Sequence, residues 1–397
     1  MRDSNIELLR IVSMMLIILF HFSVHGPWPA DGVLAADVAV GVLAFGGKLG
    51  VNCFVLITGY FMTRSSVRMA SVARVVLETW FYSWGLLILF AVAQPELVTQ
   101  ARLEKAVLPL VSGEYWFITN FVALMVVSPF LNLLFDRLSR RGKSRLAAIG
   151  FVTISVLPTL TTFNPLGSDL LWFFYLYLMG GWIRELMEGA EGGDTLAIAL
   201  ARDGGDGAAA DRDAAWAKTT GASGALAWLD PARLTLRVGG GPMAVAGVLV
   251  SWAAIAAICC AEAWFGFDRV NAQYPVWQYM IPTFLASTGM LVAFARLAMA
   301  PSRTVNNLAK CALGVYLIHD NPFVRAWLWP HFAAVYALGP AAIIGASLLA
   351  AVGVYAFGAA ADSLRIALLE KPLFRWLNSR FGDQLARADH WFATMGK

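Results

Sequence analysis

The sequence has little charge and little cysteine. Asp, Glu, Lys and Arg make up 14% of its 397 residues, against about 25% in soluble globular domains. The formal net charge of +4 is too small for a surface that binds nucleic acid through its phosphates, so we expect no nucleic-acid partner. The cysteines lie in or beside apolar runs, which predicts small buried side chains and not a disulfide framework. They are Cys53, Cys259, Cys260 and Cys311.

What the sequence has in abundance is apolar residues. They make up 59% of the chain, and the mean hydropathy is +0.64. A soluble domain of this length could not bury so much apolar surface, and the composition also excludes disorder and collagen. The sequence therefore predicts an all-α polytopic protein whose partner is the lipid bilayer.

About ten segments are long and apolar enough to span a membrane. They lie near residues 6–25, 38–62, 74–93, 115–135, 146–163, 169–187, 241–263, 275–299, 311–330 and 334–360. Four regions follow: a six-helix membrane half (1–187), a flexible linker rich in Gly, Ala and Asp (188–240), a four-helix membrane half (241–360) and an amphipathic tail (361–397). We expect the tail to lie on the inner membrane surface, held by Arg365, Lys371 and Arg375.

The distribution of Lys and Arg predicts the orientation. Basic residues are concentrated in the segments before helix 3, after helix 4 and between helices 8 and 9, and they are scarce in the opposite loops. Because basic loops stay in the cytoplasm, the N terminus is predicted to be cytoplasmic. An even number of spans places the C terminus on the same side.

Two ionisable residues in the first helix have an informative spacing. Arg10 and His21 are eleven positions apart, which leaves only about 20° of rotation and a rise of about 16.5 Å. Both side chains therefore lie on one face, where lipid would not tolerate them. A cation at one end could hold an anionic donor, and an imidazole at the other could act as a general base. The alternative is a snorkelling Arg10 and a His21 with only a structural hydrogen bond.

Several motifs resemble the acyltransferase-3 family of integral membrane O-acyltransferases. ELLR at 7–10, then ten residues, then His21, resembles the family's N-terminal Arg-x10-His signature. Residues 50–61 (GVNCFVLITGYF) resemble its second-helix Ser-Gly-Tyr pattern, although Thr58 replaces the commoner Ser and Cys53 the commoner Phe. The fourth-helix pattern is matched by YWFI at 115–118 and SPFLN at 128–132, and the Tyr-Leu-Ile-His segment by GVYLIH at 314–319. The matches occur in the right order from residue 1 to about 330.

The resemblance implies a bacterial cytoplasmic-membrane enzyme that transfers an acyl group, most often acetyl, from acyl-CoA to a sugar hydroxyl of an envelope polysaccharide or lipid-linked glycan. Acyl-CoA would be a co-substrate, with no bound cofactor. By position, Arg10 and His21 match the family's essential pair. A basic cluster after helix 2 matches more loosely and could meet the CoA phosphates, or it could be topogenic charge. It consists of Arg64, Arg68 and Arg74.

Other polar residues are candidates with two interpretations each. Lys48 follows Gly46-Gly47 and could line a polar cavity at a helix break, as a candidate donor-binding residue, or it could snorkel to the outer edge. Trp116 could stack on a sugar or the donor, or belong to an aromatic belt. The sequence His319-Asp320-Asn321 could line the acceptor side, or it could simply end a helix in interfacial water.

Two further hypotheses concern His21. An acid from the connection between helices 7 and 8, Glu262 or Asp268 beside Arg269, could orient His21 or the sugar. His21 and His25 have the i, i+4 spacing of zinc ligands, but the sequence offers no evident third ligand, so no metal is expected.

A different class of function is also compatible with the composition. Ten spans with interior charges fit a transporter or glycan exporter without acyl transfer, although no internal repeat is present. A membrane subunit that works only with a separate enzyme is a third possibility. Dependence on acyl-CoA distinguishes the first hypothesis from the second.

Overall fold

A computed structural model of the chain describes residues 3–29, 32–65, 68–161, 167–191, 229–265 and 277–394. These residues form a bundle of helices, and no strand occurs among them. The helices of the first half are α1 (Ser4–His25), α2 (Leu34–Met62), α3 (Met69–Ala93), α4 (Gln100–Val107), α5 (Trp116–Arg137), α6 (Arg140–Gly150), α7 (Leu157–Thr161) and α8 (Asp169–Glu191).

The second half continues the bundle with several shorter helices. They are α9 (Pro231–Val238), α10 (Gly240–Phe265), α11 (Ile281–Ala295), α12 (Arg303–Lys310), α13 (Ala312–His319), α14 (Pro322–Leu328), α15 (Pro340–Arg365) and α16 (Lys371–Thr394). A π-helical turn, Phe151–Val156, joins α6 to α7, and another, Ile366–Glu370, joins α15 to α16.

Seven helical segments within the described ranges are long and apolar enough to cross a membrane. Every predicted span overlaps at least one helix, but α11 has only 15 residues and the ninth span consists of the two short helices α13 and α14. The protein is therefore a helical multi-pass membrane protein. The number of about ten spans and the side on which the termini lie stay predictions.

Helices α1 and α2 pack closely because glycines face α1. A Cβ atom on Gly46 would lie 2.7 Å from the Leu16 carbonyl oxygen, and one on Gly50 would lie 2.4 Å from that of Ser13. The helix break that was one of two interpretations at Gly46-Gly47 does not occur, because α2 runs unbroken from Leu34 to Met62. These glycines serve close helix packing and not a kink.

The first and second halves of the bundle are tied together at Asp230. Its carboxylate caps the start of α9 and accepts hydrogen bonds from Ser144 Oγ (2.7 Å) and Trp182 Nε1 (3.0 Å). Burial raises the pKa of Asp230, and these hydrogen bonds oppose the shift. Most of the predicted linker, residues 192–228, lies outside the described residues.

The C-terminal tail folds back against the bundle. In α16, Phe392 packs with Val72 of α3 and Met125 of α5, and Asp389 Oδ1 accepts a hydrogen bond of 2.7 Å from the Met69 backbone. The expectation that Arg365 is a surface anchor is wrong. Its side chain is buried among carboxylates at the end of α15.

Candidate active site

His21 lies at the junction of α1 and α13. Its Nδ1 atom is 2.9 Å from His319 Nε2, and its Nε2 atom is 3.5 Å from Asp320 Oδ1. All three side chains are buried. The rings of His21 and Tyr316 are also neighbours, with centroids 6.5 Å apart. The junction therefore holds two imidazoles and a carboxylate in contact, which is chemistry suited to proton transfer.

The local sequence explains why this cluster forms. Helix α13 ends at His319, and Asn321 caps α14 by accepting a hydrogen bond from the Phe323 amide, with Pro322 at the first helical position. Asn321 also donates to the Tyr115 hydroxyl at 2.9 Å. The chain thus breaks between two short helices beside His21. Asp320 occupies the break, and Asn321 stabilises it.

Charged residues that the sequence analysis did not single out surround Asp320. Arg325 Nη1 lies 3.5 Å from Asp320 Oδ1, and the same guanidinium forms a salt bridge with the buried Glu114. Lys105 Nζ lies 3.3 Å from the other oxygen of Glu114. These groups come from distant parts of the chain, so their proximity could not be predicted from the sequence.

Among the residues that the structure describes, the carboxylate beside His21 is that of Asp320. Glu262, one of the two candidate acids, lies in α10. Asp268 and Arg269 lie outside the described residues. His25 completes a group of possible metal ligands, since its Nε2 lies 3.9 Å from Asp320 Oδ1. One ligand atom from each of His21, His25 and Asp320 lies within 4.8 Å of the others. Asp320 is therefore the possible third metal ligand that the spacing of His21 and His25 in the sequence did not reveal.

A cavity of about 420 Å³ runs beside α1. Its basic side chains are Arg10, Arg74, Lys310, Arg365 and Lys371. Its aromatic side chains are Phe54, Phe117, Phe121 and Tyr316. Glu78 and Glu370 are the acidic residues in the lining. The volume is typical of small-molecule sites, and the excess of cations suits an anionic ligand.

Arg10 and His21 are related through this cavity. Arg10, Met14 and Ile17 line it at helical spacing, and His21 is one turn beyond Ile17 on the same face. Tyr316 both lines the cavity and neighbours the His21 ring. The Arg10 side chain is 31% exposed, and its Nε lies 3.7 Å from Glu7 Oε2. The cavity lining therefore includes Arg10 and reaches Tyr316, whose ring neighbours that of His21.

The three arginines of the predicted basic cluster have different positions. Arg74 lines the cavity and pairs with Glu370 at 2.9 Å. Arg64 instead forms a salt bridge of 2.8 Å with Glu188, and Arg68 precedes the first turn of α3. Neither belongs to the cavity lining. Arg365 and Lys371 do line the cavity. The sequence analysis assigned them to the surface tail and therefore did not name them as candidate donor-binding residues.

Lys48 and Trp116 contact each other outside this cavity. The Lys48 ammonium lies 3.9 Å from the centroid of the Trp116 ring, a cation–π contact between α2 and α5. Both side chains are partly buried. Lys48 is thus held inside the bundle by an aromatic partner. Whether either residue meets a substrate stays a prediction.

Comparison with known families gives the class of the protein. A family model described as an acyltransferase domain matches residues 3–359 of the 397. The protein is a multi-pass membrane acyltransferase. Because the match covers nearly the whole chain, it belongs to the acyltransferase-3 family, as its motifs indicated. No curated protein and no solved structure matches it significantly, and the transporter alternative gains no support.

Proposed function

We propose that the protein is an O-acyltransferase that moves an acyl group, most simply acetyl, from cytoplasmic acyl-CoA to a sugar hydroxyl of an exported or lipid-linked polysaccharide. The observation that carries this proposal is the cavity that both Arg10 and Tyr316 line, with the Tyr316 ring next to that of His21. A cationic opening and an aromatic interior suit a donor with phosphates at one end and an apolar arm at the other.

The donor is proposed to enter at the end of the cavity that holds Arg10. The exposed or partly exposed cations there would meet the CoA phosphates. They are Arg10, Arg74, Lys310 and Lys371. The pantetheine arm would then extend past Phe117 and Phe121 toward Tyr316, which brings its thioester to the neighbourhood of His21. In this arrangement the protein lies in the bacterial plasma membrane, and its N and C termini are on the cytoplasmic side.

His21 is proposed to act as the general base. Its Nε2 takes the proton from the acceptor hydroxyl while that oxygen forms a bond to the thioester carbonyl carbon. The C–S bond then breaks, and the departing CoA sulfur takes the proton from the His21 imidazolium. Asp320, with Oδ1 3.5 Å from Nε2, would stabilise the imidazolium while it exists. Trp116, whose ring centroid lies 3.9 Å from the Lys48 ammonium, is proposed to meet the sugar.

The test is transfer of labelled acetyl from acetyl-CoA to envelope glycan by purified protein in detergent or proteoliposomes. His21→Ala is compared with wild type and with His331→Ala, because His331 is an exposed histidine outside the cluster. We expect wild type and His331→Ala to transfer label equally. We expect His21→Ala to lose roughly 10²–10⁴-fold of the rate, the usual contribution of a general base.

Two results would contradict the proposal. If folded wild-type protein transfers no acyl group from a panel of acyl-CoA donors, acyl-CoA is not the donor. If His21→Ala is as active as wild type, His21 is not the general base. Mass analysis of surface glycans from cells with and without the protein would identify the acceptor.

A further inference from the structure

The imidazole of His319 is held between a backbone carbonyl and His21. Its Nδ1 atom lies 2.6 Å from the Val315 carbonyl oxygen, one turn earlier in α13. Its Nε2 atom lies 2.9 Å from His21 Nδ1. The residue is 1% exposed, so both nitrogens are committed to these partners.

The carbonyl determines where the protons are. A carbonyl oxygen can only accept a hydrogen bond, so His319 Nδ1 must carry a proton. In a neutral imidazole the other nitrogen is then an acceptor. The neutral form is favoured because His319 is buried and both its hydrogen-bond partners are uncharged. His319 Nε2 therefore accepts from His21 Nδ1–H.

The same reasoning fixes the second ring. With its proton on Nδ1, neutral His21 has its lone pair on Nε2, the nitrogen that faces Asp320. A separation of 3.5 Å between Nε2 and Oδ1 is too long for an ordinary hydrogen bond. The two residues beside His21 thus differ in role: His319 contacts the nitrogen that holds a proton, and Asp320 faces the nitrogen that can receive one.

We propose that His319 is a positioning residue that holds His21 in the tautomer with a basic Nε2 by accepting a hydrogen bond from its Nδ1. This inference rests on the proposed role of His21 as the base. It changes the expectation that His319 lines the acceptor side, because neither of its ring nitrogens remains for a sugar hydroxyl.

The test compares three substitutions that differ in where they place an acceptor. His319→Gln puts an amide oxygen near the former Nε2 and can still accept from His21. His319→Asn is also polar but one methylene shorter, so its oxygen cannot reach His21. His319→Leu has no acceptor. Each variant is assayed for kcat, for KM toward acyl-CoA and for thermal midpoint in detergent.

We expect His319→Leu and His319→Asn to lose roughly 10²-fold or more in kcat, as a wrong tautomer of the base does elsewhere. KM for acyl-CoA should stay near the wild-type value, because His319 does not line the cavity. His319→Gln should retain at least tenfold more activity than His319→Asn.

The inference is overturned if Gln and Asn lose activity equally, or if His319→Leu is as active as wild type. A loss in kcat that follows the thermal midpoint across all three variants would also overturn it, since that shows a structural role only. If wild type itself transfers no acyl group, the proposed function fails. If His21→Ala is inactive while His319→Leu is active, only the present inference fails.

Discussion

Arg365 Nη2 lies 3.2 Å from Glu78 Oε1, and this salt bridge joins α15 to α3 beside the cavity that both residues line. The same guanidinium contacts Asp362 at 2.7 Å and Glu370 at 2.9 Å. Glu370 in turn pairs with Arg74. Because Glu78, Asp362 and Arg365 are buried, their charges depend on one another, and removing the central cation would leave an excess of buried negative charge.

Arg365→Met is therefore expected to destabilise the protein by about 3–5 kcal/mol, the usual cost of breaking a buried ion pair on one side. Thermal unfolding in detergent measures this loss. Arg375→Met is the matched control, because Arg375 is exposed on α16, and it should unfold like wild type. An Arg365→Met protein with an unchanged midpoint would show that the cluster contributes nothing to stability.

The exposed cations that line the cavity lead to a separate prediction about donor binding. Lys371 lines the cavity, whereas Arg375, one turn further along the same helix, does not. Lys371→Glu should raise KM for acyl-CoA by about fivefold, the size expected for an exposed ion pair, with kcat little changed. Arg375→Glu should leave both constants unchanged.

Salt gives an independent check of the same interaction. Raising the ionic strength screens exposed charges, so KM for acyl-CoA should rise with salt in wild type and rise less in Lys371→Glu. Equal salt dependence in the two proteins, or a raised KM in Arg375→Glu, would place the phosphates elsewhere.

The sequence predicted the parts of this protein that depend on local patterns. Each span that hydropathy predicts overlaps at least one helix. The helical period predicts that Arg10 and His21 share one face of α1, and Arg10 lines the cavity. The period could not show what faces them. Asp320, Arg325 and Glu114 meet near His21 only because α13, α14 and the start of α5 pack together.

Two sequence patterns each have two physical causes, and the sequence alone could not distinguish them. Adjacent glycines allow a kink, but they also allow close helix approach, and Gly46 serves the second purpose. A basic residue near the end of an apolar helix can anchor it at the surface, but Arg365 is instead neutralised by carboxylates from α3 and from its own segment.

Gly50 should be intolerant of a side chain, since an added Cβ would lie 2.4 Å from the Ser13 carbonyl oxygen. Gly50→Ala would push α1 away from α2 and cost about 1–3 kcal/mol. Activity should fall as well, because α1 carries His21. Gly85→Ala in α3 is the control, because a Cβ atom there would meet nothing within 4 Å. This substitution should stabilise the helix by about 0.5–1 kcal/mol. Equal midpoints in the two variants would contradict the packing argument.

The cluster of His21, His25 and Asp320 predicts how the enzyme responds to metal removal. A divalent cation there would occupy the Nε2 lone pair that the proposed base needs, and it would lie beside Arg325, whose Nη1 is 3.5 Å from the same Asp320 oxygen. Positive charge so close opposes a second cation. We therefore expect purified enzyme to hold well under one metal per chain by elemental analysis and to keep its activity in EDTA.

Asp320→Asn separates electrostatic from metal-binding roles at this cluster. It should lower kcat by roughly tenfold or more, because the His21 imidazolium loses a neighbouring carboxylate, and leave the metal content unchanged. His25→Ala should then cost little, since His25 contacts Asp320 at 3.9 Å and takes no part in the proposed proton transfer. One equivalent of zinc that is lost in both variants, together with inactivation by EDTA, would instead show that the three residues form a metal centre.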